Sequence, residues 1–207
     1  MINLELKHKL LKYKFIYYLL YLKHRFYLNF EKGNETKKIK QQIILSFKTK
    51  GEYESYFETG LWYSHNIIFL RKYFQKITGI ELNKEFCKLS KNYFSKDKNV
   101  LILQGNSSLV IKNQLKYLKK KTLFFLDAHY SKDGTSGKNL NNPIIQEVKE
   151  IIRHKIKKHT IIIDNLSEFI KPNKGYPKIE IIKKLIKKNA NYRIFSLKND
   201  LIIIIPN

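Results

Sequence analysis

Hydrophobic positions in this chain follow two alternating rhythms. Leu11, Phe15, Tyr18, Leu22 and Phe26 fall at helical spacing with Lys12, Lys14, Lys23 and Arg25 between them, so residues 1–32 are predicted helical. Gly33-Asn34 breaks that pattern. A second helix is predicted over 37–50, with Ile39, Ile43, Ile44 and Phe47 on one face. After Gly51, short apolar runs alternate with amphipathic stretches. The runs predict strands at 53–58, 76–81, 100–104, 122–126, 160–163, 192–197 and 201–205. Helices are predicted between them at 66–74, 84–94, 108–118, 143–153 and 177–188. Unbroken runs such as Leu123-Phe124-Phe125-Leu126 and Ile161-Ile162-Ile163 suit strands covered on both faces. The expectation is an α/β protein with a doubly wound, mostly parallel, seven-stranded Rossmann-like sheet. The Lys198-Asn199-Asp200 turn is too short for a crossover and makes the last strand antiparallel. Residues 1–35 form an N-terminal helical extension in this reading, and 36–207 the α/β domain.

Composition narrows the picture in three ways. Hydrophobic residues make up 43% of the chain, enough for a core. The single cysteine, Cys87, rules out an internal disulfide framework and a cysteine-based zinc site. The net charge of +24 invites a nucleic-acid partner, but of 41 basic residues only Arg25, Arg71, Arg153 and Arg193 are arginine. A surface selected to grip phosphate would use more guanidinium forks, so the charge reads first as solvated lysine and nucleic acid is not the favoured partner. No apolar run reaches the ~18 residues that cross a bilayer. The run over 15–22 lies among lysines and lacks a small-residue cleavage site, so no signal peptide is predicted and a cytoplasmic location is expected. The aromatic, basic first helix has three open readings: packing on the domain, pairing in a homodimer, or lying on an anionic membrane surface.

Ligands of such sheets bind beyond the carboxyl ends of the strands, and there each predicted strand delivers a polar group. The first brings Glu58-Thr59-Gly60, with the turn 61–66 and an apolar helix start behind it. The glycine lets a ligand come close, and the helix offers free N–H groups. The second ends at Glu81, placed to accept both hydroxyls of a ribose. The third gives Gly105-Asn106-Ser107, which a plain N-cap would also explain. The fourth gives Asp127-Ala128-His129 and the fifth Asp164-Asn165. Asp127 and His129, two apart off a strand end, can point the same way, and an imidazole suits a general base. The alternative for His129 is a structural hydrogen bond. The polar loop over 130–142 reads as a substrate lid.

In order, E-T-G, I-E-L, G-N-S-S, L-D-A-H-Y and I-I-I-D-N resemble the motifs of class I S-adenosylmethionine (SAM)-dependent methyltransferases over about residues 37–207. Within that class the chain is most similar to a little-characterised bacterial and viral group marked by L-D-A-H-Y-S, here Leu126 to Ser131, with Gly134-Thr135 and Tyr176-Pro177 further on. The resemblance implies SAM as cofactor, with Glu58, Thr59, Gly60, Glu81, Leu82, Asn106, Ser107 and Asp127 around it. Glu58 and Gly60 would line the methionine part, Glu81 the ribose, and Asn106 and Ser107 the adenine. Asp127 and His129, from their placement off the fourth strand, are the candidate catalytic residues. Asp127, Asp164 and Asn165 resemble the oxygen-ligand set of metal-dependent sugar O-methyltransferases, which would add Mg²⁺. The chain departs from the pattern at Ser64, where a second glycine is usual, at Trp62 and Tyr63 before it, and in having Asn106 and Asn165 in place of acids. Such a loop is expected to narrow the cofactor pocket.

The expected activity is methyl transfer to a hydroxyl of a small molecule or glycan. Two alternatives stay open: a nucleic-acid methyltransferase, and a non-catalytic binding protein on the same scaffold. The first lacks the acid-Pro-Pro-aromatic turn expected for exocyclic amines.

Overall fold

The computed structural model describes residues 33–128, 142–172 and 175–207. The helix predicted over 1–32 and most of the predicted lid, with His129, lie outside the described residues.

Seven strands form one sheet in the order β3-β2-β1-β4-β5-β7-β6. The strands are β1 (Ser55–Thr59), β2 (Lys76–Glu81), β3 (Val100–Gln104), β4 (Thr122–Leu126), β5 (Thr160–Asp164), β6 (Tyr192–Lys198) and β7 (Leu201–Pro206). The first five run parallel, and β7 is antiparallel to both β5 and β6. Asn199 (φ 54°) and Asp200 (φ 58°) make the tight turn that joins β6 to β7, as left-handed residues do in the commonest two-residue hairpins.

The described helices are α1 (Gly33–Lys50), α2 (His65–Leu70), α3 (Lys84–Tyr93), α4 (Ser107–Leu115), α5 (Ile144–Arg153), α6 (Leu166–Ile170) and α7 (Ile179–Lys187). They cover both faces. Ile44, Ile67, Leu70 and Cys87 pack with Tyr56, Ile77, Leu123, Phe125 and Ile162 on one side. Ile111, Val148, Ile151, Phe169 and Ile182 pack with Phe57, Ile80, Phe124, Ile161 and Ile163 on the other. β4 and β5 are buried at every position, which is why their sequences carry no polar alternation.

Three elements depart furthest from the sequence reading. α1 takes in Gly33 and Asn34, where a break was expected. α2 stops at Leu70, short of 74, because the Asn99 side-chain amide takes the carbonyls of Arg71 (2.8 Å) and Phe74 (2.9 Å). α6 follows Asn165 directly, where a loop was expected. The Leu166 amide bonds the Asp200 carbonyl and the Ser167 amide its carboxylate, tying α6 to the β6–β7 turn.

The sheet reverses direction of winding between β1 and β4. β1, β2 and β3 build outward on one side, and β4 and β5 on the other. A crevice beyond the carboxyl ends of β1 and β4 is where this topology places a ligand.

Candidate active site

At the tip of β1 the chain turns sharply. Gly60 has φ 77°, and a Cβ there would lie 2.4 Å from the Asp127 carbonyl oxygen, so only glycine lets the β1 and β4 loops pass this closely. The Asp127 amide donates to the Thr59 carbonyl at 3.0 Å and locks the two tips together.

Glu81, at the tip of β2, is buried beside this turn. Its Oε2 accepts the amides of Leu61 and Trp62, each at 2.9 Å, and its Oε1 accepts the Asn83 amide at 2.7 Å. Burial raises its pKa and these donors oppose the rise. The carboxylate thus organises the loop after Gly60, in which Trp62 (φ 47°) and Ser64 (φ 54°) are both left-handed. The bulky residues that break the glycine pattern fold onto α3. The Tyr63 ring meets Phe86 at 5.2 Å, and the Ser64 and Ser90 hydroxyls are 2.7 Å apart. Trp62 is 38% exposed.

Alternate residues of β1 face opposite sides. Glu58 lies with Tyr56 on the α1 side, fully buried. Its Oε1 accepts the Asn66 amide at 2.9 Å, and no donor meets Oε2 in hydrogen-bond geometry. Burial lifts its pKa to about 8; Asn66 and the nearby Tyr56 hydroxyl hold it down, while Asp127 pushes it up. Thr59 is buried on the other side, facing Glu147 of α5 rather than the crevice. Glu147, also fully buried, has its pKa raised to about 7 by burial, against the pull of the Ser107 and Thr59 hydroxyls, although neither of its oxygens finds a partner in full hydrogen-bond geometry.

At the tip of β3, Asn106 caps α4. Its Oδ1 accepts from the Ser108 amide (3.1 Å) and the Ser108 hydroxyl (2.8 Å). Both lone pairs of that oxygen are therefore engaged, so the adenine contact expected of the Asn106 carbonyl would have to displace a cap. Leu82 is half-buried next to Glu81.

The remaining strand tips converge. Asn165, left-handed at φ 66°, donates its amide nitrogen to Asp127 Oδ1 at 3.1 Å, and the Asn165 amide bonds Asp164 Oδ1 at 2.8 Å. Asp164 is buried and holds an ion pair with Lys40 of α1. Its pKa is raised to about 6 by burial and by Asp127, and Lys40 opposes the rise. Tyr176 stands close by, its hydroxyl pushed up by burial and by the charges of Asp127, Glu168 and Asp164. Lys37 enters from α1; burial lowers its pKa to about 8, against the fields of Asp127, Glu58 and Asp164.

The structure thus brings together Glu58, Gly60, Glu81, Asp127, Asp164 and Asn165. It adds Lys37, Lys40 and Tyr176, which were not singled out as site residues, and buries Glu147 behind Thr59. The expected Mg²⁺ set needs correction. Asp127, Asp164 and Asn165 do meet, but Asp164 is already capped by an ammonium group and Asn165 presents nitrogen to Asp127. Among the described residues no group of three or more His, Cys, Asp or Glu could hold a metal ion. The arrangement as built does not fit a divalent cation.

No family model matches the chain, and no curated protein matches it in sequence. Solved structures do. The SAH-bound methyltransferase PaMTH1 from Podospora anserina aligns at TM-score 0.60 and 13% identity, over 90% of this chain and 87% of that one. The O-methyltransferase TomG from Streptomyces achromogenes, in complex with SAM, aligns at 0.59 and 11%, over 81% and 78%. The O-methyltransferase from Bacillus cereus in complex with SAH aligns at 0.58 and 14%, over 81% and 80%. The fold of this chain is accordingly the Rossmann-like fold of SAM-dependent methyltransferases, with its seven-stranded sheet and antiparallel final hairpin.

Proposed function

We propose that this protein is a SAM-dependent methyltransferase that modifies a hydroxyl of a small molecule or glycan. The observation that carries the proposal is the meeting of Glu58, Gly60, Glu81 and Asp127 at the point where the sheet reverses. The groups suit the cofactor. Glu58 Oε2 is buried with no donor in hydrogen-bond geometry, which suits the ammonium of the methionine part. Glu81, buried at the tip of β2 and held by backbone amides of the neighbouring loop, supplies the carboxylate proposed to accept a ribose hydroxyl. Leu82 offers an apolar edge to the adenine, and the N-terminus of α4 at Ser107 offers N–H groups. SAM, when bound, supplies an electrophilic methyl on sulfur.

The chain's own part is then positioning and proton removal. Asp127 and Asn165, fixed to each other, form the wall between the cofactor end and the acceptor end. His129 is the proposed base that takes the acceptor's proton as the new C–O bond forms and the C–S bond breaks. Tyr176, Lys37 and Lys40 give the acceptor end its polar lining. The test is direct titration of the purified protein with SAM and with SAH. Saturable heat with both supports the reading, and none at millimolar ligand favours a non-catalytic scaffold.

A further inference from the structure

We propose that Lys37 and Lys40, one turn apart on the inward face of α1, take the place of a divalent cation at the acceptor end of the crevice, so that a hydroxyl acceptor is held there without metal. This rests on the methyl-transfer reading above.

The observation behind it is a helix whose inward face carries lysines beside isoleucine. Lys37, Lys40, Gln41 and Ile44 recur at helical spacing and so share one face. That face points inward: Ile44 is fully buried, the Gln41 amide reaches Asn66 Oδ1 at 3.4 Å, and Lys40 pairs with Asp164. Ile39, which an apolar stripe would have turned inward, is 46% exposed. A helix that covers a sheet normally hides its apolar residues and shows its lysines. Lysines are drawn in only where anions wait for them. Here the anions are Asp164 for Lys40, and Asp127, Glu58 and Asp164 for Lys37.

Two ammonium groups bring the charge that one divalent cation would bring, to the same carboxylates. A metal added on top would face both of them and would have to strip Lys40 from Asp164. The lysines can also do what the metal would do for the acceptor. Their N–H groups can hold a hydroxyl oxygen and stabilise negative charge as its proton leaves. Lys37 and Lys40 are in this sense positioning residues that replace a cofactor.

The test needs no SAM and no acceptor, so it stands or falls separately from the methyltransferase reading. The full chain is titrated calorimetrically with MgCl₂ and MnCl₂. The wild-type protein is expected to show no saturable binding at millimolar metal. Lys40→Ala, confirmed folded by circular dichroism, releases the Asp164 oxygens and should show saturable Mn²⁺ binding in the same millimolar range, as carboxylate sites do when charge is freed. Lys40→Gln, which removes the ammonium charge but keeps a polar side chain, should gain binding in the same direction and serves if the alanine variant fails to fold. Saturable Mn²⁺ binding by the wild-type chain that disappears in Asp164→Asn would overturn the proposal. So would folded Lys40 variants that gain no metal affinity.

Discussion

Glu81 Oε2 accepts the backbone amide of Leu61 at 2.9 Å, and that one contact joins the tip of β2 to the loop that leaves β1. Trp62 and Asn83 donate to the same carboxylate, so Glu81 shapes the loop beside the crevice. Glu81→Ala is predicted to weaken SAM binding by ~1.5–3 kcal/mol, the scale for a lost hydrogen bond to a charged group. Part of that loss comes from Leu61 and Trp62 amides left unpaired. Calorimetric titration of the folded variant checks it, and an unchanged affinity would remove Glu81 from the ribose role.

Glu147 makes a prediction about stability against pH. Its pKa is about 7 when folded, raised by burial, against 4.5 as its ordinary value. Below pH 4.5 both states hold the proton and burial adds no ionisation cost. As pH rises toward 7 the unfolded chain releases its proton first, so stability falls, by on the order of 3 kcal/mol once the folded group also ionises. Glu147→Gln removes this dependence. Its melting temperature should exceed the wild-type value by more at pH 8 than at pH 5. An equal difference at both pH values would contradict the burial cost.

The opposite end of the sheet carries the opposite sign. His159 is fully buried, accepts the Thr122 amide at Nδ1 (3.0 Å), and meets His154 Nδ1 through its Nε2 at 2.8 Å. Burial, then the neighbouring His154, lowers its pKa from 6.5 to about 4. The neutral ring's contribution is therefore present above pH 6.5 and lost as pH falls toward 4. Stability measured by denaturant should drop across that window. His159→Asn, whose Oδ1 can still take the Thr122 amide, should flatten the drop. The same slope in the variant would mean that other groups carry it.

Much of the scaffold is legible in the residues themselves. β2, β3 and β4 fall where they were expected, because each apolar run ends abruptly at a polar group: Glu81, Gln104, Asp127. The five-residue α6 is too short to show a period, and contacts with the β6–β7 turn hold it in place. α1 was legible only in part. Ile43, Ile44 and Phe47 pack on the core as expected, but Ile39 is exposed, and Lys37 and Lys40 lie inward toward carboxylates at strand tips that are far away in sequence. Glu147 was equally hidden. It stands between Gln146 and Val148 like any surface acid, and only the packing of α5 over Thr59 and Ser107 shows that it is buried. Glu58, Glu81, Asp127 and Asp164 could be read in advance because strand ends in a parallel sheet share one edge.

The central claim is that the β1–β4 crevice is a cofactor site. Isothermal titration of the full 207-residue chain with SAM tests it most directly. The account predicts a single saturable site, displaced by SAH and weakened in Glu81→Ala. A flat titration at millimolar SAM, from protein shown to be folded, would contradict it.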